Sequence, residues 1–550
     1  MLKSNHNPMK TETENRFDPV KSKLKLSVVI MIALHIAFQL GAQPAPQFVP
    51  IHVFGGINTV PSAALTLGQN GHIYGTTFGG AYADGTGSIF VLVPNGDGTF
   101  TCSTLNRLDT AYSPANDGQN PDARLTLSRD GTILFGTTQK GGSGGGVVFS
   151  VNIEQSEAAV FNSGSPQPNG SSQGYSLLYP FNTATDGGAP KAALVALDNG
   201  AAPPILFGTL SAEGPSGGGS VFSIFSFPNA GSLSYLGFHV GELDEKPPVK
   251  YQALLLASAA AQPKVGGLAG KMPKTPVKAN DATNIDLSTI AIYGISKSGG
   301  SNNWGTVYSV NANGSNFMVL HHFSLSTTDG AGPMGGMVLS GNTLYGTTPL
   351  GGNNFAGTVF QINTDGSGFQ IIKNFDFATT GYSPEGDLIL SGSTLYGTTH
   401  AGGVNGGGTV FSINTSGSNF MVLHSFTTPV SDGNGHYTNS DGGLSVAGLL
   451  LSGYTLYGTT PYGGTNGVGT AYEILLPAPP SLNIAKSVGS YKISWLASAT
   501  NFVLQQNSNL ATTNWSTNSL AISNDGTNKS VTIIPAAGSA YFRLMSTNGP

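Results

Sequence analysis

A Tyr/Phe-Gly pair behind an aliphatic residue returns seven times along the chain, as Ile73-Tyr74-Gly75, Leu134-Phe135-Gly136, Leu206-Phe207-Gly208, Ile292-Tyr293-Gly294, Leu344-Tyr345-Gly346, Leu395-Tyr396-Gly397 and Leu456-Tyr457-Gly458. Successive marked glycines lie 61, 72, 86, 52, 51 and 61 residues apart. The unit is therefore about 50 residues with insertions, the length of a four-stranded propeller blade. A second element keeps step with the first, from Gly87-Ser88-Ile89-Phe90 to Gly469-Thr470-Ala471-Tyr472, again seven times. In the sixth unit the runs 386–390, 394–399, 408–414 and 419–426 are rich in β-branched or aromatic residues and bounded by Gly, Ser or Asn, which predicts four antiparallel strands.

A fourth-strand signature, His321-His322-Phe323, Lys373-Asn374-Phe375 and His424-Ser425-Phe426, also occurs as His52-Val53-Phe54 ahead of the first complete unit, and none follows Tyr472. The spare strand at one end complements the missing one at the other. The expected fold is all-β: a seven-bladed β-propeller over residues 48–476 whose N-terminal strand, Phe48 to Phe54, closes the last blade and removes open sheet edges.

The Leu-Tyr-Gly-Thr-Thr, Gly-Thr-Val-Phe-x-Ile-Asn, Gly-Ser-x-Phe and Asp-Gly-x-x-Pro elements resemble the tandem GloVer repeat of exported bacterial proteins, which implies a secreted or cell-surface setting. After the stiff linker 477–480, strand-like runs at 491–495, 502–505, 531–534 and 541–544 resemble a fibronectin III or immunoglobulin-like β-sandwich over 481–550, with Trp495 and Trp515 expected in its core.

Lys21, Lys23 and Lys25 precede the apolar run Leu26 to Leu40, and Gly41-Ala42-Gln43 offers small residues at a cleavage point, so residues 1–43 read as leader and signal peptide. Fifteen apolar residues are too few for the ~20 of a spanning helix. The mature chain is expected in the envelope or medium, monomeric and with no membrane span. Only 9% of residues are charged, against ~25% in average proteins, and the net charge of −5 with scattered Lys and Arg excludes a nucleic-acid partner. Cys102, the single cysteine, leaves no intramolecular disulfide and reads as a small buried apolar residue.

Loops after the second and fourth strands leave by one face, so function is expected on that rim. Asp117, Asp186, Asp329 and Asp441 each precede Gly there; they could bind Ca²⁺, but as a repeated feature they read as turn caps. Departures confined to one blade are the ligand-binding candidates: Tyr82, Asp84, Glu213, Trp304, His400 and Tyr462, in which aromatic faces could stack on sugars beside hydrogen-bonding groups. His52, His321 and His424 sit on outer strands, where they cannot converge on a metal. Gly-x-Ser-x-Gly around Ser143, Ser172 and Ser216 has no strand-turn-helix context. No catalytic residue, metal or cofactor is assigned. The expected function is noncatalytic binding or scaffolding of a polysaccharide or surface protein; the alternative is a polysaccharide lyase or hydrolase using blade-specific acidic residues.

Overall fold

The computed structural model describes residues 46–55, 60–79, 86–108, 118–163, 174–197, 204–211, 220–225, 232–239, 252–258, 287–433, 437–477, 480–488, 490–497, 502–508, 515–534 and 540–546. The leader, the Lys-containing insertion Ala259 to Asp286, and Tyr82, Asp84, Asp117 and Glu213 lie outside them. Two compact units divide near Pro477. No helix among the described residues is long and apolar enough to cross a membrane.

The larger unit is all-β and contains seven four-stranded antiparallel sheets in tandem. Sheet 6 is representative: Ile389–Ser391, Thr394–Thr399, Gly406–Asn414 and Met421–Thr427 pair in that order. Six sheets follow the chain in this way. The seventh takes Leu450–Ser452, Thr455–Thr460 and Thr470–Leu475, and its fourth strand is the N-terminal Gln47–Val53, antiparallel to Thr470–Leu475 with Phe48 opposite Ile474. The expected exchange of terminal strands is present.

The glycine of each Tyr/Phe-Gly pair has one physical cause. Gly75, Gly136, Gly208, Gly294, Gly346, Gly397 and Gly458 stand directly opposite Phe90, Phe149, Phe222, Tyr308, Phe360, Phe411 and Tyr472 on the third strand. Each aromatic ring folds across the glycine of its partner strand. A Cβ at Gly346 or Gly397 would stand 2.6 Å from Cζ of Phe360 or Phe411, so only hydrogen fits, and the ring covers the backbone that the missing side chain exposes. These rings are buried and belong to the clusters between sheets. Tyr74, Ile89 and Val91 of sheet 1 pack on Leu134, Val147 and Phe149 of sheet 2. The pattern continues from sheet to sheet until Leu450, Tyr457 and Ala471 of sheet 7 meet Leu65, Ile73, Phe90 and Leu92 of sheet 1.

A helix, Ile153–Ser163, interrupts sheet 2 between its third and fourth strands, a departure that the repeat pattern does not announce. Asn152 caps it by accepting from the Gln155 N–H at 3.0 Å. Ile153 and Val160 join the cluster between sheets 1 and 2, and Glu157 accepts from Tyr74 Oη at 2.6 Å, with His72 Nδ1 2.8 Å away.

The smaller unit has two sheets, Asn483–Ser487, Ser490–Leu496, Asn528–Ile533 and Ser523–Asn524 in one, and Ser516–Thr517, Phe502–Asn507 and Tyr541–Ser546 in the other. Ile493, Trp495 and Val531 of the first meet Leu504 of the second. Trp495 is fully buried as expected. Trp515 is not in that cluster; its ring carries the Arg543 guanidinium at 4.3 Å, a cation–π contact.

Two outcomes test this packing. Gly397→Ala should lower stability by about 1–3 kcal/mol through overpacking, and combining it with Phe411→Leu should cost less than the sum of the single changes in a denaturant double-mutant cycle; additivity would refute the ring-on-glycine contact. Deleting residues 47–53 exposes the edge of Thr470–Leu475 and should lower the melting temperature sharply, whereas an unchanged melting curve would refute the role of the N-terminal strand.

Candidate functional site

Six of the seven sheets are tied to the next at the loop rim by a residue in the left-handed region, the junction of sheets 3 and 4 lying outside the described residues. Val60, Asn120, Ala189, Ser383 and Leu444 have φ between 53° and 57°, and Gly332 has 65°. A β-branched residue such as Val60 is strained there. Each donates its N–H to the preceding sheet, at Val468, Thr86, Gly145, Ala356, Gly407 and Trp304 carbonyl oxygens respectively, over 2.7–3.0 Å. The carbonyls of Val60, Asn120 and Ser383 accept in turn from Phe78, Gln139 and His400, the first residue past the second strand. Proline follows in five of the six, at 61, 121, 190, 333 and 384, and turns the chain into the first strand.

The segments entering the first strands of sheets 2, 5 and 6 then alternate between buried and half-buried positions. Ala63, Ala123, Gly335, Gly386 and Ala447 are buried and small because neighbouring sheets meet there; a Cβ on Gly335 or Gly386 would run into the main chain at Gly386 or Ala447. The intervening positions are half-buried: Ser62, Asp122, Arg124, Lys191, Met334, Glu385, Asp387 and Val446. They bridge sheets. Ser62 Oγ donates to Asp122 Oδ1 at 2.6 Å, Gln139 Nε2 to Asp122 Oδ2 at 2.8 Å, and the Gly336 N–H to Asp387 Oδ1. Ser383 Oγ donates to Glu385 Oε1 at 3.1 Å.

Of the six sequence candidates, three are described. His400 belongs to this group: it is held beside Ser383 by its main chain, and its Nδ1 is buried without a hydrogen-bond partner. Trp304 and Tyr462 stand on the rim loops, 38% and 41% exposed. The residues missed, Asp122, Arg124, Lys191, Glu385 and Asp387, carry a signal that was available, since they follow the repeated proline in alternation.

The Asp-Gly carboxylates are occupied structurally. Asp329 accepts from Ser324 N–H at 2.9 Å and Gly330 N–H at 2.7 Å, with His321 Nε2 3.1 Å away. Asp441 takes the Thr427 N–H at 3.2 Å and stands 3.1 Å from His424 Nε2, and Asp186 takes the Asn182 N–H and Tyr179 Oη. Each therefore holds the end of a fourth strand rather than only its own turn. The histidines pack on the next sheet: His321 stacks on Phe369 and His424 on Phe48, both at 3.8 Å, and Lys373 lies 4.0 Å over Phe420 at the equivalent place. No group of three metal-ligating side chains occurs among the described residues. Burial pushes the Cys102 thiol up to about 12, which removes it as a nucleophile at neutral pH.

A family model described as Gloeobacter/Verrucomicrobia repeat matches residues 284–527, supporting the repeat reading from sheet 4 onward. No curated protein matches the chain. Solved structures similar to it include an oligogalacturonate lyase in complex with manganese (10% identity, TM-score 0.41, 79% of this chain and 98% of that one). Polysaccharide lyase Uly1 gives 10%, 0.42, 78% and 92%, and the periplasmic gluconolactonase PpgL of Pseudomonas aeruginosa gives 15%, 0.37, 73% and 96%. These three carry the names of enzymes, against the expectation of a noncatalytic binding or scaffold protein. The likeness is one of fold and brings no substrate or residue role to this chain.

Burial raises the carboxyl pKa of Asp441, but the His424 and Thr427 hydrogen bonds outweigh it and hold the value low. The same competition leaves Asp376, bonded by Thr379 and Thr380, at about 2. A carboxyl with a depressed folded pKa contributes stability that is present above its unfolded value and lost as pH falls through the folded one. The stability difference between wild type and Asp376→Asn should therefore be constant at neutral pH and shrink between pH 3.8 and about 2. Denaturant midpoints across that range check it; a difference independent of pH would refute it.

Proposed function

We propose that this is a polysaccharide-active enzyme, a lyase or hydrolase, working at the loop-bearing mouth of a seven-bladed propeller. Packing of sheet 7 on sheet 1 and the Thr459 Oγ1 bond to the Ala63 carbonyl at 3.0 Å support ring closure. In a closed ring the first strands surround the axis, and the half-buried positions entering them face it. The Lys-flanked apolar run supports export, and the two C-terminal sheets support a fibronectin III or immunoglobulin-like module.

One observation carries the enzymatic reading. In a chain with only 9% charged residues, the half-buried positions that differ from sheet to sheet collect Asp122, Arg124, Lys191, Glu385 and Asp387, with His400 beside them. A packing role would need the same residue in every sheet, and these differ. The residues supply what cleavage of a sugar chain needs. A carboxylate on sheet 2 or sheet 6 can act as general acid or base, and the His400 ring beside them has a buried Nδ1 without a hydrogen-bond partner. Trp304 and Tyr462 offer exposed aromatic faces on which sugar rings can stack.

The test is incubation of purified protein with a panel of neutral and acidic polysaccharides, following new reducing ends and the ultraviolet absorbance of an unsaturated product. Either enzyme releases reducing ends, and only a lyase gives the absorbance. Glu385→Gln, Asp122→Asn or His400→Ala should lower kcat about 10²-fold or more where the residue transfers the proton, while Trp304→Ala and Tyr462→Ala should raise KM. Release from no member of the panel would overturn the reading.

A further inference from the structure

We infer that the sugar held at this mouth is anionic, a uronate residue, and that Arg124 is the group that pairs with its carboxylate; this rests on the enzymatic reading above. Arg124 is half-buried on the segment entering the first strand of sheet 2, two residues past Asp122. Among the described residues it has no hydrogen-bond or ion-pair partner, unlike His72, His321 and His424, which face Glu157, Asp329 and Asp441. Its nearest acid in sequence is already engaged, since both Asp122 oxygens accept, from Ser62 and Gln139. A guanidinium is always charged, so a half-buried one with no protein partner is available to an incoming anion. Its planar fork matches a carboxylate with two parallel hydrogen bonds.

The distribution of charge around the mouth points the same way. Sheets 2, 3 and 4 contribute Arg124, Lys140, Lys191 and Lys297 at their first-strand entries or just past their second strands. The same places on sheets 5 to 7 hold Met334, Gly336, Pro349, Glu385, Asp387, His400, Val446, Gly448 and Pro461, with no Lys or Arg. Among the described residues the cations at these places are thus confined to sheets 2 to 4, beside the one carboxylate Asp122, and the acids of the opposite arc come from sheet 6, in a chain whose net charge is −5. A uronate chain oriented with its carboxylate toward sheets 2–4 presents its glycosidic bond and ring protons to Glu385 and His400. A neutral sugar would leave Arg124 unpaired.

The experiment uses the full-length protein with uronate polymers and the same polymers after chemical reduction of their carboxyl groups, reading cleavage and, by calorimetry, binding of short oligomers of each. The expected result is cleavage and binding of the carboxylated forms only. Arg124→Gln should weaken both by about 10- to 100-fold, as expected for losing a charge-assisted bidentate contact. Arg124→Lys should restore part of the loss, and unchanged melting curves should show that both variants fold. Carboxyl-reduced polymers cleaved as well as their parents would overturn this inference and leave the enzymatic reading intact. Binding of carboxylated oligomers that is lost in Arg124→Gln, without cleavage by any form, would support the anion site and overturn the enzyme. No binding of carboxylated oligomers, or binding unaffected by Arg124→Gln, would overturn the assignment of Arg124.

Discussion

The contact on which the larger unit depends is an aromatic ring lying across a glycine on the neighbouring strand. It occurs in all seven sheets, from Gly75 and Phe90 to Gly458 and Tyr472. The glycine gives up β propensity, and the ring repays it by covering bare backbone and filling the wedge between sheets. Because each ring also belongs to the cluster facing a neighbouring sheet, the contact joins pairing within a sheet to packing between sheets. A change at one glycine is therefore felt in two sheets.

Two further devices work on the outer strands and on the rim. On the outer strands, a histidine or lysine is held between an aromatic ring of the next sheet and, at His321 and His424, the carboxylate of the following loop. On the rim, left-handed residues exchange main-chain hydrogen bonds with the preceding sheet. Strain at Val60 or Leu444 is sustained because both neighbours of each peptide are already fixed. Together they leave the segments entering the first strands with little freedom.

The candidate site was only partly legible. His400 was singled out because it departs from its counterparts in other units, and it lies among the first-strand charges with Nδ1 buried and unpartnered. Trp304 and Tyr462 were found the same way and are exposed on the rim. Asp122, Arg124, Glu385 and Asp387 were passed over because they sit in a stretch that reads as a turn followed by a short strand. Only the alternation of buried small residues with half-buried ones shows that every second position looks out between the sheets. The Asp-Gly pairs, the most regular acidic feature of the chain, proved to bind backbone N–H groups at strand ends.

By itself the sequence determined the number of sheets, the pairing order within each and the exchange of the terminal strand, because these follow from local periodicity and from copies of one motif that can be checked against each other. Trp495 was placed correctly in the small unit for a similar reason, as a large apolar residue inside an alternating strand. What only the tertiary structure decided was which polar residues meet. Ser62 reaches Asp122 across two sheets, Asp387 takes the N–H of Gly336 across two others, and Arg124 is left without a partner. Such meetings are set by how neighbouring sheets are rotated and stacked, and no spacing within one chain segment encodes that; the charges of a repeat protein acquire chemistry only when separate repeats bring them to one place.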